Sequence, residues 1–284
     1  MNPLGIPWHP IQSRGQYFQS MVSYIRFIWS LDNHSVSLSY KKCIKYLSKV
    51  FSFLSNAVNK VTCKECLPIH SMLQHIAFVF QDGCSFLPPL STFLSRFPND
   101  FVSHHVPKPI LESLLWWQTI LCIPCMAWSL LLRQRVDPDV WVDASMDLGI
   151  CVVIGSQWVA WKLVHGWKLD GRDIGWAESI ALELAILMLV DHGFKDCLIT
   201  IWGDNTGVIG TFNKGRSRNI PHNDSIQHIT ASVIPNNISI FPVYMASTVN
   251  RADSVSHGIL GYSSLHLARP LTLPPELIQY LQDV

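Results

Sequence analysis

Four acidic residues in the second half of the chain have the types and positions that divalent-cation chemistry requires. Asp143 lies near the end of the apolar run VWVDAS, and Asp204 ends the strand-like run LITIWGD. Glu183 lies within a helical apolar pattern, and Asp253 lies in NRADSVSHG at the start of the last helix-like segment. Because no two are sequence neighbours, only a fold can bring their carboxylates to one point.

Such a cluster suits magnesium-dependent hydrolysis of a phosphodiester. That reaction needs an acidified attacking water and a neutralised leaving oxygen, and two divalent ions about 3.5 to 4 Å apart can supply both. Mg²⁺ prefers hard oxygen ligands and keeps several waters. Crowded carboxylates without a cation raise one another's pKa values. We therefore expect Mg²⁺, or Mn²⁺, to be held by Asp143, Glu183, Asp204 and Asp253.

The helix predicted over residues 176–190 offers two glutamates for this site. Glu183 has apolar residues at i+3, i+4 and i+7, so it lies on a core-directed stripe. A carboxylate is rarely buried there unless it has a partner such as a metal ion. Glu178 falls in the predicted first turn, where the helix dipole favours a negative charge that commonly has no further role. On this burial argument we assign the ligand to Glu183 and keep Glu178 as the alternative.

Three segments carry a family resemblance: GRDIGWAESIALELAIL, GDNTGVIGTFNKGRSRN and NRADSVSHGIL. They resemble type-1 ribonuclease H domains of retroelements, and fungal retrotransposon copies especially, over about residues 140–260. In front of them, LGIPWHPIQSRGQYFQS, YIRFIWSLD and IHSMLQHIAFVFQDG look like the thumb and connection that follow a reverse-transcriptase palm. The resemblance implies an α/β fold: a ribonuclease H-like mixed five-stranded sheet with flanking helices, preceded by a smaller mixed α+β segment.

The resemblance also implies roles for the four carboxylates. Asp143 would be the central ligand that bridges both metals, and Asp253 would complete the second metal site. The 21 positions from Glu183 to Asp204 are closer to the family's spacing than the 26 positions from Glu178. Many cellular members carry a flexible histidine before the last aspartate, but YMASTVNRAD has none. That difference could slow turnover, although retroelement relatives often lack the histidine too.

A basic run after the third carboxylate predicts contacts with nucleic acid. Discrimination between RNA and DNA depends on the 2′-hydroxyl, and small residues beside Asp143 leave room for an ion and a phosphate. The residues predicted to bind nucleic acid are Ser145, Asn205, Thr206, Lys214, Arg216 and Arg218. A solvated basic loop is the alternative for the last three.

Charge is unevenly distributed in this chain of 284 residues, of which only 14% are charged. Residues 1–112 hold ten Lys/Arg against five Asp/Glu, whereas residues 140–261 hold eight against eleven. Clustered Lys and Arg bind phosphate backbones, so we expect the basic N-terminal part to contribute more to nucleic-acid binding. LSYKKCIKYLSKVFSFLS predicts an amphipathic basic helix over residues 38–55. It is either a thumb helix along a backbone or an ordinary surface helix.

The predicted organisation has four parts. Residues 1–112 form the thumb and connection remnant, 113–139 an apolar helix and linker, 140–261 the ribonuclease H-like domain, and 262–284 a C-terminal tail. FVFQDGCSF predicts a hairpin that turns at Asp82 and Gly83. Beyond residue 139 the pattern predicts three strands, a helix, a strand, a helix, a strand and a last helix.

An uncharged run of 19 residues, Leu114 to Leu132, is long enough to cross a membrane. Pro124, Gln118 and tryptophans spread along the run favour a buried helix instead, so no membrane is expected. No apolar stretch follows Met1, so we expect no signal peptide and an intracellular chain.

Two CxxC pairs, Cys63/Cys66 and Cys122/Cys125, invite a zinc interpretation. The apolar surroundings of the second pair favour buried core thiols over zinc ligands. In an intracellular chain the cysteines are expected to be reduced.

The function predicted from these features is cleavage of the RNA strand of RNA/DNA hybrids. No Asp-Asp pair occurs in the sequence, so we expect no polymerase activity and a truncated retroelement reading frame. One alternative is a catalytically inactive nucleic-acid-binding protein that keeps the fold. Another is an integral membrane protein built around residues 114–132.

Overall fold

The computed structural model describes residues 19–57, 60–123, 127–131, 133–267 and 271–284. Its buried apolar side chains form two large clusters, one drawn from residues 27–121 and the other from residues 140–281. Most of the predicted thumb segment LGIPWHPIQSRGQYFQS, together with Pro124, Cys125 and Leu132, lies outside the described residues.

The first cluster is enclosed by two small sheets and four helices. A four-stranded antiparallel sheet has the order β1-β2-β3-β6, and β4 pairs with β5. The elements are β1 (Met21–Tyr24), β2 (Phe27–Ser30), β3 (Ser35–Leu38), α1 (Tyr40–Asn56), β4 (Val61–Thr62), α2 (Cys63–Ala77), α3 (Pro88–Leu94), β5 (Ser103–His104), α4 (Lys108–Cys122) and β6 (Ala127–Ser129). The amphipathic helix predicted over residues 38–55 is confirmed as α1.

The predicted hairpin over residues 78–86 is wrong. The chain leaves α2 and forms a 3₁₀ turn over Gln81–Phe86. Gly83 does not have the positive φ of a tight hairpin turn. A Cβ at this position would lie 2.2 Å from the buried ring of Trp117. The glycine therefore serves close packing, which a short sequence pattern does not distinguish from a turn.

The uncharged run 114–132 is not one helix. Its first part belongs to α4, and its last described part includes β6, which extends the first sheet beside β3. Among the described residues, no helix combines the length and apolarity needed to cross a bilayer. Cys66 is fully buried, whereas Cys122, expected in the core, is exposed.

The second cluster lies in a mixed α/β layer structure. Its six-stranded sheet has the order β11-β10-β7-β8-β9-β12. The elements are β7 (Gln134–Ala144), β8 (Gly149–Ile154), β9 (Gln157–Leu163), α5 (Ile174–Asp191), β10 (Cys197–Gly203), α6 (Thr206–Asn213), α7 (Ile220–Val233), β11 (Ser239–Tyr244), α8 (Asp253–Ser256) and β12 (Leu281–Asp283).

The strand directions match the predicted fold. Strands β7, β8 and β9 form an antiparallel meander, and β10 and β11 run parallel to β7. Side chains alternate across β7: Val140 and Val142 face α5, whereas Trp141 packs on the opposite face with Val255 of α8. The predicted ribonuclease H-like mixed sheet with flanking helices is therefore confirmed.

Two features extend this sheet beyond the prediction. Strand β12, from the segment predicted as a tail, pairs antiparallel with β9 and supplies a sixth strand. Strand β7 begins at Gln134, inside the predicted linker, and its register with β10 shifts around Pro138 and Asp139. Proline has no N–H to donate and Asp139 has φ of 56°, so a bulge forms here. The predicted boundary after residue 112 lies within α4, and the four-part division stays a prediction.

Candidate active site

Three carboxylates converge at one edge of the large sheet. Asp143 lies near the C-terminal end of β7, and Asp204 directly follows β10. These strands are parallel neighbours in which Trp141 pairs with Trp202, so Asp143 and Asp204 lie at the same level. Glu178 reaches the same point from α5. One carboxylate oxygen from each of the three lies within 4.8 Å of the others.

The glutamate in this cluster is Glu178, not Glu183, which corrects the assignment made from the sequence. Helix α5 begins at Ile174, two residues earlier than predicted, so Glu178 lies beyond the first turn. Almost every residue from 176 to 189 is buried, because α5 packs against the sheet on one side and α7 on the other. Burial therefore cannot discriminate between two glutamates that are 8% and 0% exposed.

The two glutamates point in different directions. Five residues correspond to a rotation of about 140° around the helix axis. The Glu183 side chain accordingly points away from the other carboxylates and faces α7, where its Oε1 accepts a hydrogen bond from His228 Nδ1 at 3.0 Å. Glu276 lies 3.5 Å from the same nitrogen. Burial lowers the pKa of His228, but the hydrogen bond and charge of Glu183, with the other carboxylates, outweigh this effect and raise it.

The close approach of the three carboxylates disfavours ionisation of Glu178 and Asp143. Burial raises the pKa of Glu178 to about 9, and the charges of Asp143 and Asp204 add to this effect. Burial also raises the pKa of Asp143 to about 6, a hydrogen bond from Ser256 opposes the rise, and the charge of Asp204 adds to it. A donor set made of oxygens alone fits a hard divalent cation, which would replace the protons that Glu178 and Asp143 hold.

Side chains from the NRADSVSHG segment hold Asp143 in place. The hydroxyl of Ser256 donates to Asp143 Oδ2. Asn250 Nδ2 donates to the carbonyl of Val142 at 3.1 Å and approaches Asp143 Oδ1 at 3.5 Å. Both Asn250 and Ser256 are buried. Sequence reasoning did not single them out, although both lie in the motif quoted for Asp253.

Asp253 lies beside the cluster but does not belong to the close group of three. It begins α8 and is partly exposed, and its charge contributes to the raised pKa of Asp143. Its Oδ1 lies 4.0 Å from Nε2 of His257. His257 in turn lies 2.5 Å from Asp147 through Nδ1, and the hydrogen bond with Asp147 raises its pKa.

The predicted nucleic-acid contacts separate into scaffold and surface. Ser145 is buried and donates to the carbonyl of Ser256 at 2.5 Å, so its hydroxyl joins β7 to α8 and does not form a surface. Asn205 caps α6 by accepting from the backbone N–H groups of residues 207 and 208. The side chains of Ser145 and Asn205 therefore form hydrogen bonds within the fold. The side chain of Thr206 is exposed beside Asp204.

The basic run lies at the far end of α6. Lys214, Arg216 and Arg218 are exposed, and the eight residues of α6 span about 12 Å between Asn205 and Lys214. Arg218 lines a cavity shared with residues 88–112, and Gly215 lies close to Gln81. The run therefore faces the junction between the two cores.

The sequence matches no protein-family model and no curated protein at a significant level. Among solved structures, the chain is similar to RNase H1 from the halophilic archaeon Halobacterium salinarum NRC-1, with 24% identity over 42% of this chain and 92% of that chain and a TM-score of 0.28. It is also similar to the foamy viral protease-reverse transcriptase dRH in complex with ds DNA, with 13% identity and a TM-score of 0.30.

The second match covers 80% of this chain, which spans only 38% of the foamy viral chain. The geometry of Asp143, Glu178 and Asp204 in this chain is what the functional interpretation depends on.

Proposed function

We propose that the C-terminal part of this protein is a divalent-cation-dependent nuclease that hydrolyses the RNA strand of RNA/DNA hybrids. The observation that carries the proposal is the close approach of Asp143, Glu178 and Asp204 at the ends of two parallel strands. The arrangement is supported by a sheet order typical of the ribonuclease H-like fold. The proposed retroelement origin has the sequence resemblance as its support.

The donor set fits Mg²⁺ or Mn²⁺, which when bound would acidify a water and neutralise the leaving oxygen. Ser256 and Asn250 fix the orientation of the Asp143 carboxylate before substrate binds. Glu178 must lose a proton to act as a ligand, because its pKa lies near 9. Asp253, partly exposed and close enough to act on Asp143 electrostatically, is the carboxylate available to a second cation.

Substrate contact is assigned to the exposed residues along α6. Thr206 is exposed two residues after Asp204, and we assign to it contact with a sugar hydroxyl beside the scissile phosphate. Lys214, Arg216 and Arg218 would hold phosphates farther along the same strand, since exposed Lys and Arg supply most backbone contacts. The asymmetry of charge between the two parts of the chain favours a hybrid that also touches the N-terminal part.

The direct test is cleavage of an end-labelled RNA/DNA hybrid by the purified full chain. We expect cleavage of the RNA strand with Mg²⁺ or Mn²⁺ but not with Ca²⁺, because calcium takes more ligands at longer distances. Asp204→Asn should abolish cleavage while it leaves hybrid binding intact and stability unchanged or slightly raised, since one crowded charge is removed. Equal cleavage in chelator would overturn the proposal.

A second candidate function is a nucleic-acid-binding protein without catalytic activity. Two observations favour it: the raised pKa of Glu178 opposes cation binding at neutral pH, and Asp253 stands outside the close group. This candidate predicts hybrid binding in a gel-shift assay with no cleavage at any Mg²⁺ concentration up to pH 9. Cleavage that appears as pH rises would instead favour the nuclease.

A further inference from the structure

We propose that Glu183, His228 and Glu276 form a second metal site, for a transition cation of the zinc class, separate from the Asp143 carboxylates. One ligand atom from each of the three side chains lies within 4.8 Å of the others. They come from α5, from α7 and from the C-terminal segment that leads into β12. The site therefore joins three distant parts of the chain, and it does not depend on the proposed nuclease activity.

The distances suit a cation in place of the imidazole proton. His228 Nδ1 lies 3.0 Å from Glu183 Oε1 and 3.5 Å from Glu276 Oε1. In a tetrahedral zinc site, with nitrogen and oxygen ligands about 2.0 to 2.2 Å from the metal, two ligand atoms are about 3.3 Å apart. The two distances to His228 Nδ1 therefore lie on either side of the separation that the ion requires, and the two glutamates lie within 4.8 Å of each other.

A buried carboxylate oxygen of Glu183 without a hydrogen-bond partner also supports a bound cation. Glu183 is fully buried, and its Oε2 has no hydrogen-bond partner among the residues that the structure describes. An unsatisfied oxygen on a buried carboxylate costs free energy. Nδ1 of His228 already lies between Glu183 Oε1 and Glu276 Oε1, so it gives Glu183 Oε2 no hydrogen bond. A cation held by Glu183 would neutralise the whole carboxylate.

The surroundings favour a positive ion with one open position. Asp224 lies beside His228 and Glu276 on the wall of a cavity of about 370 Å³ between α7 and residues 88–112. Three carboxylates therefore surround one imidazole. An imidazole ligand favours zinc over magnesium, and three protein ligands leave the fourth position free for a water from the cavity. Bound zinc would fasten the segment carrying Glu276, and with it β12, to α5 and α7.

The test uses the full chain with Asp143→Asn, which disables the first carboxylate cluster. Zn²⁺ is titrated by calorimetry, and bound zinc is measured by elemental analysis after gel filtration. We expect about one equivalent of zinc bound by this site and a rise in the thermal unfolding midpoint, because a ligand of the folded state stabilises it. His228→Gln in the same background should lose that equivalent and the rise.

The matched control is His222→Gln, on the same helix, whose imidazole pairs with Asp173 outside the cluster. It should keep the zinc equivalent and the rise in midpoint. If His228→Gln fails to fold in chelator, the half-exposed Glu276→Gln replaces it, with the same expected loss. Zinc binding that is absent in the background protein, or equal in the His228, Glu276 and His222 variants, would overturn the proposal.

Discussion

Glu178 and Glu183 occupy the same helix yet have different chemical surroundings. The Glu178 carboxylate lies beside those of Asp143 and Asp204, whose negative charges disfavour its ionisation. Glu183 has a histidine partner and lies on the side of α5 that faces α7. A cation-dependent reaction at the sheet edge should therefore depend on the first glutamate and be nearly insensitive to the second.

Exchange of each glutamate for glutamine tests this difference. Glu178→Gln should lower Mg²⁺-dependent hybrid cleavage by roughly a hundredfold or more, since loss of supporting residues around a metal already costs 10- to 100-fold. Glu183→Gln should leave cleavage within a few-fold and lower the free energy of unfolding by about 1 to 3 kcal/mol, because a buried charged hydrogen bond is weakened. Single-turnover rates and urea unfolding measure the two effects. The reverse order would return the ligand to Glu183.

The raised pKa of Glu178 also predicts how stability depends on pH. The folded protein keeps the proton up to about pH 9, whereas the unfolded chain releases it near the ordinary glutamate pKa of 4.5. Between these values the folded state binds more protons, so the free energy of unfolding falls as pH rises. We expect this fall in chelator, measured by urea unfolding from pH 5 to 9.

Glu178→Gln supplies the control for that pH dependence. Glutamine does not titrate, so the variant should lose much of the decline and be more stable than the parent at pH 9. Saturating Mg²⁺ should have a similar effect in the parent protein, because a cation takes the place of the proton. Parallel curves for the two proteins would show that Glu178 ionises normally.

Among the elements, those with long periodic patterns were predictable from the sequence. Alternating or continuous apolar runs such as GICVVIG and CLITIWG correspond to β8 and β10, and the pairing of β10 with β7 followed from the fold. The same reasoning placed Asp143 and Asp204 together. It could not choose the face of α5, because a helix buried on nearly all sides has no polar stripe to fix its orientation.

The short elements have too few residues for a sequence pattern to predict them. Strand β12 has three residues, and its only marks are a buried Leu281 and its pairing with β9, neither of which is visible in a local pattern. The 3₁₀ turn over residues 81–86 resembled a hairpin because Asp82 and Gly83 are common turn residues. Tertiary packing on Trp117 decided its conformation instead.

The contribution of β12 can be measured directly. Leu281 is buried in the core of the large sheet, so Leu281→Ala should lower the free energy of unfolding by about 2 to 4 kcal/mol. The neighbouring Gln282 is exposed, and Gln282→Ala should change it by less than about 0.5 kcal/mol. Urea unfolding of both variants provides the comparison. Equal, small effects would mean that residues 281–283 contribute little to the stability of the sheet.

At the scale of the whole molecule, the two cores are joined through α7. Asn223 Nδ2 and Gln227 Nε2 both donate to the carbonyl of Ser85 at 2.8 Å, and this carbonyl belongs to the 3₁₀ turn of the first core. The contact fixes α7, and with it the basic run that precedes it, relative to residues 81–86. The position of the basic run relative to the first core is therefore defined.

Helix α1, which packs against α4 in the first core, has a regular charge pattern. Lys41, Lys45 and Lys49 recur at intervals of four residues and are all exposed, so they form one basic stripe. If the stripe follows a phosphate backbone, each lysine releases counterions when the hybrid binds. Replacement of all three by glutamine should weaken hybrid binding and reduce the slope of log affinity against log salt by about 2 to 3.

Fluorescence anisotropy with a labelled hybrid at several KCl concentrations measures this slope, in chelator so that cleavage does not interfere. Exposed lysines contribute little to folding, so the thermal unfolding midpoint of the triple variant should stay close to that of the parent. The matched control replaces Ser48, Ser52 and Ser55 by glutamine, since these exposed serines recur at spacings of four and three residues on the same helix. Lys64→Gln, exposed on α2, is the single-charge control. An unchanged slope in the triple variant would make α1 an ordinary surface helix and leave the basic run after α6 as the backbone contact.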